Sequence, residues 1–309
     1  MVSGGSAVPA AGLDAAGPDV TAPPGFGSRW QTVRGLRLHA LRSDGGPGPP
    51  VLLLPGLVTA SRSMVPLARA LAGQGRRVWI LDPPGFGYSD KPRGALPVGE
   101  QAALVAGWLA AAGRGPVPVL GNSFGSQVAA AVAADHPALV ERVVLLSPTA
   151  RPAVRRRLSW LGALPARSGP GASTGTGRPG RRRVRLLARV HGTLGDEPSL
   201  RVLNVAEYGC ASVPRAVGTL RWAVLEPIEA TMPRVGVPAL VIRADHDRLS
   251  SPDWARHLAG LAPDGRLARL PGLGHDAFFQ AADAVAAVIA PFLDATAGLP
   301  SRAGGTSSR

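Results

Sequence analysis

The sequence predicts an α/β protein built on a mostly parallel, doubly wound sheet, and three features predict it. Short apolar runs with no polar alternation, Val51-Leu52-Leu53-Leu54 and Val117-Pro118-Val119-Leu120, read as strands buried on both faces. Helical patterns separate such runs, as at Gly99 to Ala112, where Leu104, Trp108 and Leu109 recur at helical spacing. Glycine-bearing loops close the runs: Pro55-Gly56-Leu57-Val58 after the first and Gly121-Asn122-Ser123-Phe124-Gly125 after the second. In a sheet of this kind active sites collect at the carboxyl ends of the strands.

Each element has its own warrant. Residues 1–27, rich in Gly, Ala and Pro, are expected to form a disordered arm. Ser28 to Ser43 alternates around Arg34-Gly35 as a hairpin of antiparallel edge strands would. Ser63 to Ala72 reads as a helix, Arg77 to Leu81 as a strand, and Asp82 to Asp90 as a long loop. The stretch from Gln127 to Ala134 continues as a helix that His136-Pro137 ends, and Arg142 to Leu146 is the next strand. Beyond Thr149 the alternation stops. Helical runs (Val154 to Leu164, Arg183 to Val190, Leu200 to Ala206, Ala216 to Leu225) surround a Gly/Ser/Thr/Pro stretch with no core-forming side chains. Residues 149–232 are therefore read as an inserted helical cap with a flexible loop at 167–180, and residues 28–148 and 233–294 as the core. Strand Pro238 to Ile242, helix Pro252 to Leu261, strand Arg266 to Leu270 and helix Phe278 to Leu293 complete it, with 295–309 as a disordered tail.

Composition narrows the function. The 309 residues carry a formal charge of +14, but of the 34 basic residues only Lys91 is lysine, an imbalance that resembles codon bias. Between Arg151 and Arg234 there are 15 Arg against five acids. No aromatic-lined module accompanies them, so no nucleic-acid partner is expected, only weak, salt-sensitive attraction to polyanions or to acidic substrates near the cap. No apolar run reaches a membrane span, and Met1 to Gly27 lacks the basic start and apolar core of a signal peptide, so a cytoplasmic protein is expected. The single cysteine, Cys210, excludes an intramolecular disulfide and makes a poor metal site.

The serine at 123 stands in a special place. A strand that turns into a helix within about one residue strains the serine between them and crowds the residues two before and two after, where only glycine fits. The hydroxyl is thereby lifted off the sheet, and the Phe124 N–H, at the positive end of the new helix, can face an oxyanion. With 40 glycines in the chain the bare G-x-S-x-G pattern arises by chance about 0.3 times, so the flanking strand and helix carry the signal.

Such a serine needs a base, and the base an acid. Of six histidines, His39, His136, His191 and His257 fall in the hairpin, at a helix end, in the cap and within a helix, where structural roles are expected. His246 follows a strand, and His275 lies between the last strand and last helix, the better place for a base. Acids near strand ends are Asp82, Asp90, Asp245 and Asp247. Asp247 gives the chain order Ser, Asp, His and lies mid-loop, where it can lean towards His275, whereas Asp245, nearer the strand, is expected to satisfy backbone N–H groups of its own turn. Asp245 stays open as the alternative acid.

Over residues 30 to 294 the chain resembles the α/β-hydrolase superfamily, in its cap-bearing group of esterase-like and carbon-carbon-bond hydrolases. Gly121-Asn122-Ser123-Phe124-Gly125 looks like the nucleophile elbow, Asp82 to Ser89 like the D-x-P-G-x-G-x-S loop, Arg243 to Asp247 like the acid loop and Gly274-His275 like the histidine loop. Two positions depart from the pattern: Pro55-Gly56 replaces the usual His-Gly, and Ala244 replaces a glycine. The resemblance implies a serine hydrolase that cleaves a carboxylic ester or related small acyl substrate through Ser123, His275 and Asp247, with the N–H groups of Leu57 and Phe124 holding the oxyanion and no metal or cofactor required. Serine at the elbow argues against the haloalkane dehalogenase and epoxide hydrolase branches. A carbon-carbon-bond hydrolase or thioesterase of the same superfamily is the neighbouring reading, and a non-catalytic basic interaction protein on the same scaffold the competing class.

Overall fold

The computed structural model describes residues 22–43, 45–46, 50–113, 115–149, 151–163, 199–200, 202–203 and 213–295. Within them an eight-stranded sheet runs in the order β1-β2-β4-β3-β5-β6-β7-β8. β1 (Phe26–Val33) and β2 (Leu36–Ser43) form the expected hairpin, paired antiparallel, and β2 also meets β4 (Val78–Leu81) antiparallel. From β4 onward every pairing is parallel: β3 (Val51–Leu54) with β4 and with β5 (Val117–Asn122), then β6 (Val140–Leu146), β7 (Ala239–Ala244) and β8 (Gly265–Leu270).

Apolar side chains alternate between the two faces of this sheet, as the strand pleat requires. Leu52, Leu54, Val119 and Val241 enter one core with α2 (Val98–Ala112), α3 (Phe124–Asp135) and α7 (Pro252–Leu261). Leu53, Leu120, Leu240 and Ile242 enter the other with α1 (Val65–Gly73) and α9 (Ala282–Asp294). The central strands are thus buried on both sides, which is why they read as continuous apolar runs.

Several boundaries move from the sequence expectation. β1 begins at Phe26, inside the stretch assigned to the arm, because its first residue pairs with Ser43. The last helix is broken into α8 (Ala277–Gln280) and α9 at Ala281, which leaves helical geometry with φ −137°. The run from Val154 to Leu164 shortens to α4 (Pro152–Arg157) and a separate 3-10 turn, Ser159–Ala163. The later helix lengthens to α5 (Val213–Leu225) and is followed by α6 (Ile228–Thr231). The loop expected at 167–180, the helical run expected at Arg183 to Val190, His191, Cys210 and the tail from 296 lie outside the described residues.

The insert is fastened to the core from two sides. Trp222 of α5 donates its indole N–H to the Ala95 carbonyl at 3.2 Å, and Gln127 of α3 donates to the Ala223 carbonyl at 2.8 Å. Trp254 of α7 donates to the Thr149 carbonyl at 3.1 Å, where the chain leaves the core. Among the described residues no helix is long and apolar enough to cross a membrane.

Candidate active site

The carboxyl edge of the sheet is laced together residue by residue. Ser123 N–H donates to the Leu146 carbonyl, Ser147 N–H to Ile242, Asp245 N–H to Leu270 and His246 N–H to Leu273, all between 2.8 and 3.1 Å. The loops after β5, β6, β7 and β8 are therefore one continuous rim, and Ser123, Asp247 and His275 all belong to it.

Ser123 is the sole residue between β5 and α3, with φ +53° and ψ −115°. That left-handed conformation is strained for any residue but glycine, and it persists because its surroundings leave no alternative. A Cβ on Gly121 would collide with the carbonyl of Gly125, and a Cβ on Gly125 with the carbonyls of Leu54 and Pro55. The crowding expected from the sequence is thus present on both sides of the serine. The backbone strain is also localised: of the four non-glycine residues with positive φ among the described residues, Val58, Ser123 and Ser147 follow the carboxyl ends of β3, β5 and β6.

The loop after β3 meets the serine directly. A Cβ on Gly56 would sit 3.4 Å from the Ser123 Cβ, so the backbone just before Leu57 passes close to the serine turn. Val58, a β-branched residue, holds φ +58° while buried. Phe124, also buried, contributes the first N–H of α3, which has no partner within the helix.

His275 and Asp247 face each other across neighbouring loops, with Nδ1 2.9 Å from Oδ2. The Asp247 side chain is fully buried and that of His275 is 27% exposed. The other oxygen of Asp247 accepts the N–H groups of Leu249 and Ser250 at 2.8 and 3.0 Å, so its loop wraps around the carboxylate. Burial raises the Asp247 pKa, but the hydrogen bond from His275 and the charge of a protonated imidazole outweigh it and hold the carboxyl below its ordinary value. Among the described residues no hydrogen bond joins Ser123 Oγ to His275.

Asp245 does not cap its own turn, contrary to the sequence expectation. It pairs with the Arg269 guanidinium at 3.0 and 3.1 Å and more loosely with Arg243, and the hydrogen bond from Arg269 holds its carboxyl below the ordinary value. It is Asp247 that satisfies the backbone of the loop. The cause lies in the register of β7 and β8, which sets Arg243 opposite Arg269 and leaves Asp245 just beyond them. Arg243 in turn donates to the carbonyls of Ser250 and Asp245 at 2.9 Å, a brace for the acid loop that nothing in the sequence singled out.

The remaining candidate acids are consumed elsewhere. Asp82 is sealed beneath the hairpin, bonded to His39 Nδ1 at 2.7 Å and to the N–H groups of Ser61 and Tyr88. Asp90 accepts the Arg37 N–H at 2.8 Å. His246 is exposed, and no group of metal-ligating side chains occurs among the described residues.

A parallel sheet carrying a strained serine at a strand-to-helix turn, with a His–Asp pair on the same rim, defines a class of α/β protein. A family model described as alpha/beta hydrolase fold matches residues 49–282, and the chain belongs to that family. Polyketide synthase ThaQ of Burkholderia thailandensis is 31% identical over 85% of this chain, which spans 12% of that protein's length. Pimeloyl-[acyl-carrier protein] methyl ester esterase of Stenotrophomonas maltophilia is 29% identical over 81% of this chain and 95% of its own. Among solved structures, the enol-lactonase from Burkholderia xenovorans LB400 superposes with a TM-score of 0.63 at 24% identity, over 85% of this chain and 99% of that one, a likeness of fold alone.

Proposed function

We propose that this α/β-fold hydrolase is a serine esterase that cleaves a carboxylic ester or related acyl bond through an acyl-enzyme on Ser123. The observation that carries the reading is the left-handed Ser123, locked between Gly121 and Gly125 on the same rim as a hydrogen-bonded His275–Asp247 pair. Ser123 Oγ attacks the acyl carbon as His275, through its second ring nitrogen, takes the hydroxyl proton. Asp247 fixes the tautomer and stabilises the imidazolium. The N–H groups of Leu57 and Phe124 hold the tetrahedral oxyanion. The leaving alkoxide departs with the proton held by His275. Water, deprotonated by the same imidazole, then attacks the acyl-enzyme, and the carboxylic acid leaves as Ser123 recovers its proton.

In this reading residues 149–232 form the cap that selects the substrate, supported by the hydrogen bonds that attach Trp222 to Ala95 and Ala223 to Gln127 of the core. A chain bound to a carrier protein is the acyl class most favoured, because one relative with nearly full-length coverage is by name an esterase of pimeloyl-[acyl-carrier protein] methyl ester. The test is a fluorophosphonate probe with p-nitrophenyl butyrate. The probe is expected to modify Ser123, and Ser123→Ala to lose both labelling and turnover while keeping the wild-type melting temperature. An unlabelled, inert wild-type protein would favour the non-catalytic scaffold instead.

A further inference from the structure

Ser147 is a second strained serine on the rim, and the mechanism above leaves it unused. It follows β6, the strand between the serine strand β5 and the acid strand β7. Its φ is +51°, and it is fully buried. The register sets Asn122, Leu146 and Ile242 side by side, and the N–H groups of Ser123 and Ser147 step across to the carbonyls of Leu146 and Ile242. Ser147 thus stands between the nucleophile and the acid loop. Glycine holds a left-handed conformation without strain, so a serine with no task for its side chain would be more stable there as glycine.

The polar groups around Asp247 supply that task. An ionised carboxylate has about four acceptor positions. In Asp247, whose side chain is fully buried, one oxygen takes the N–H groups of Leu249 and Ser250 and the other takes His275 Nδ1, so among the described residues a position on Oδ2 stays open. The Ser147 hydroxyl is the complementary group: a buried donor with no hydrogen bond of ordinary geometry among the described residues. A buried hydroxyl left unpaired and a buried carboxylate short of a donor both destabilise the site, and one bond between them removes both penalties. The two already interact. Burial raises the Asp247 carboxyl, His275 lowers it, and the Ser147 side chain lowers it further.

We infer that Ser147 is a positioning residue for the proposed hydrolysis: its hydroxyl donates to Oδ2 of Asp247, beside His275 Nδ1, and fixes the plane of the carboxylate. The inference rests on the acyl-hydrolase reading above and adds a residue to the same site. A hydroxyl proton rotates freely onto an acceptor, so the bond asks for no change of fold. It keeps Oδ2 on the line of the Nδ1–H, which in turn holds the imidazole in the tautomer that can take the Ser123 proton. It also draws charge from the carboxylate and so tempers how strongly Asp247 raises the basicity of the ring.

Ser147→Ala removes the hydroxyl and keeps the strained backbone, whereas Ser147→Gly removes the hydroxyl and relieves the strain. Both are expected to lower kcat for p-nitrophenyl butyrate about tenfold, the effect of losing one hydrogen bond to a charged group. The unfolding midpoint of Ser147→Gly is expected at or above that of wild type. A purely structural residue would not move the histidine. With one donor fewer the carboxylate holds the imidazolium more tightly, so the acid limb of kcat/KM is expected to shift to higher pH and the low-field proton resonance of the His275 Nδ1–H to move further downfield. The charged groups of the surrounding loops, His246, Arg248, Asp245, Arg243 and Arg269, are the same in every variant. Wild-type turnover in either variant, or a resonance and acid limb that stay in place, would overturn the inference. The resonance needs no substrate, so a protein that turns over no ester yet shows the downfield shift would lose the hydrolase reading and keep the bond.

Discussion

Two His–Asp pairs occupy opposite flanks of this molecule. His39 and Asp82 meet at 2.7 Å with both side chains fully buried, and the second ring nitrogen of His39 is tied to Ser28 at 3.1 Å. His275 and Asp247 meet at 2.9 Å with the imidazole 27% exposed and, among the described residues, no second hydrogen bond to its ring. The bond is the same, and the difference is what surrounds it. The first histidine is packed against the rings of Trp30 and Tyr88 and has every polar atom spent, so it ties the hairpin to the loop after β4. The second keeps an open edge on the same rim as a strained serine. An imidazole can move a proton between reactants only if one nitrogen remains to meet them.

Replacing each pair in turn sharpens that contrast. The largest effect is expected at the open pair: His275→Ala and Asp247→Asn should each lower kcat by about 10⁴, the latter through the wrong tautomer, and Asp247→Asn should also lower the unfolding midpoint, because its buried carboxylate accepts the N–H groups of its own loop. Equal turnover in Asp247→Asn and wild type would refute the assignment. At the sealed pair, Asp82→Asn should cost about 3 kcal/mol or more in denaturant unfolding, because it breaks a buried pair and the cage around it. Activity per folded molecule should stay near wild type, and a variant inactive yet fully folded would erase the distinction between the pairs.

The pH dependence of stability follows with a definite sign. Burial raises the Asp82 pKa, but His39 and the surrounding N–H groups lower it further, to a net value below the ordinary 3.8. A depressed carboxylate stabilises the fold above its unfolded pKa, and that contribution is lost as pH falls through the folded one. Melting temperature should therefore fall in acid more steeply for wild type than for Asp82→Asn. Parallel curves would contradict the shift. The smallest effect is expected at Asp245→Asn, whose partners Arg269 and Arg243 lie beside the acid loop: a loss of no more than about threefold in kcat, as for an exposed ion pair. A drop matching that of Asp247→Asn would move the acid two residues upstream.

Much of this was legible in the chain. Continuous apolar runs identified the parallel strands, because a strand buried on both faces has no solvent side to encode. Gly121 and Gly125 announced the serine turn, because only the smallest residue survives the approach of a carbonyl. Ser251-Pro252 announced α7, and the Ser251 hydroxyl accepts the Trp254 N–H at 3.3 Å.

What the sequence left open was decided at long range. The duty of Asp245 depended on which residue β8 sets beside it, and no local pattern encodes cross-strand register. The sealing of Asp82 by His39 joins positions 43 residues apart, through a pairing of β2 with β4 that a hairpin signal cannot foretell. Local stereochemistry, carried by glycine, proline and capping side chains, acts over a few residues and can be read along the chain. Hydrogen bonds and ion pairs form between whatever groups the packed sheet brings within about 3 Å, so their partners were settled by the tertiary structure alone.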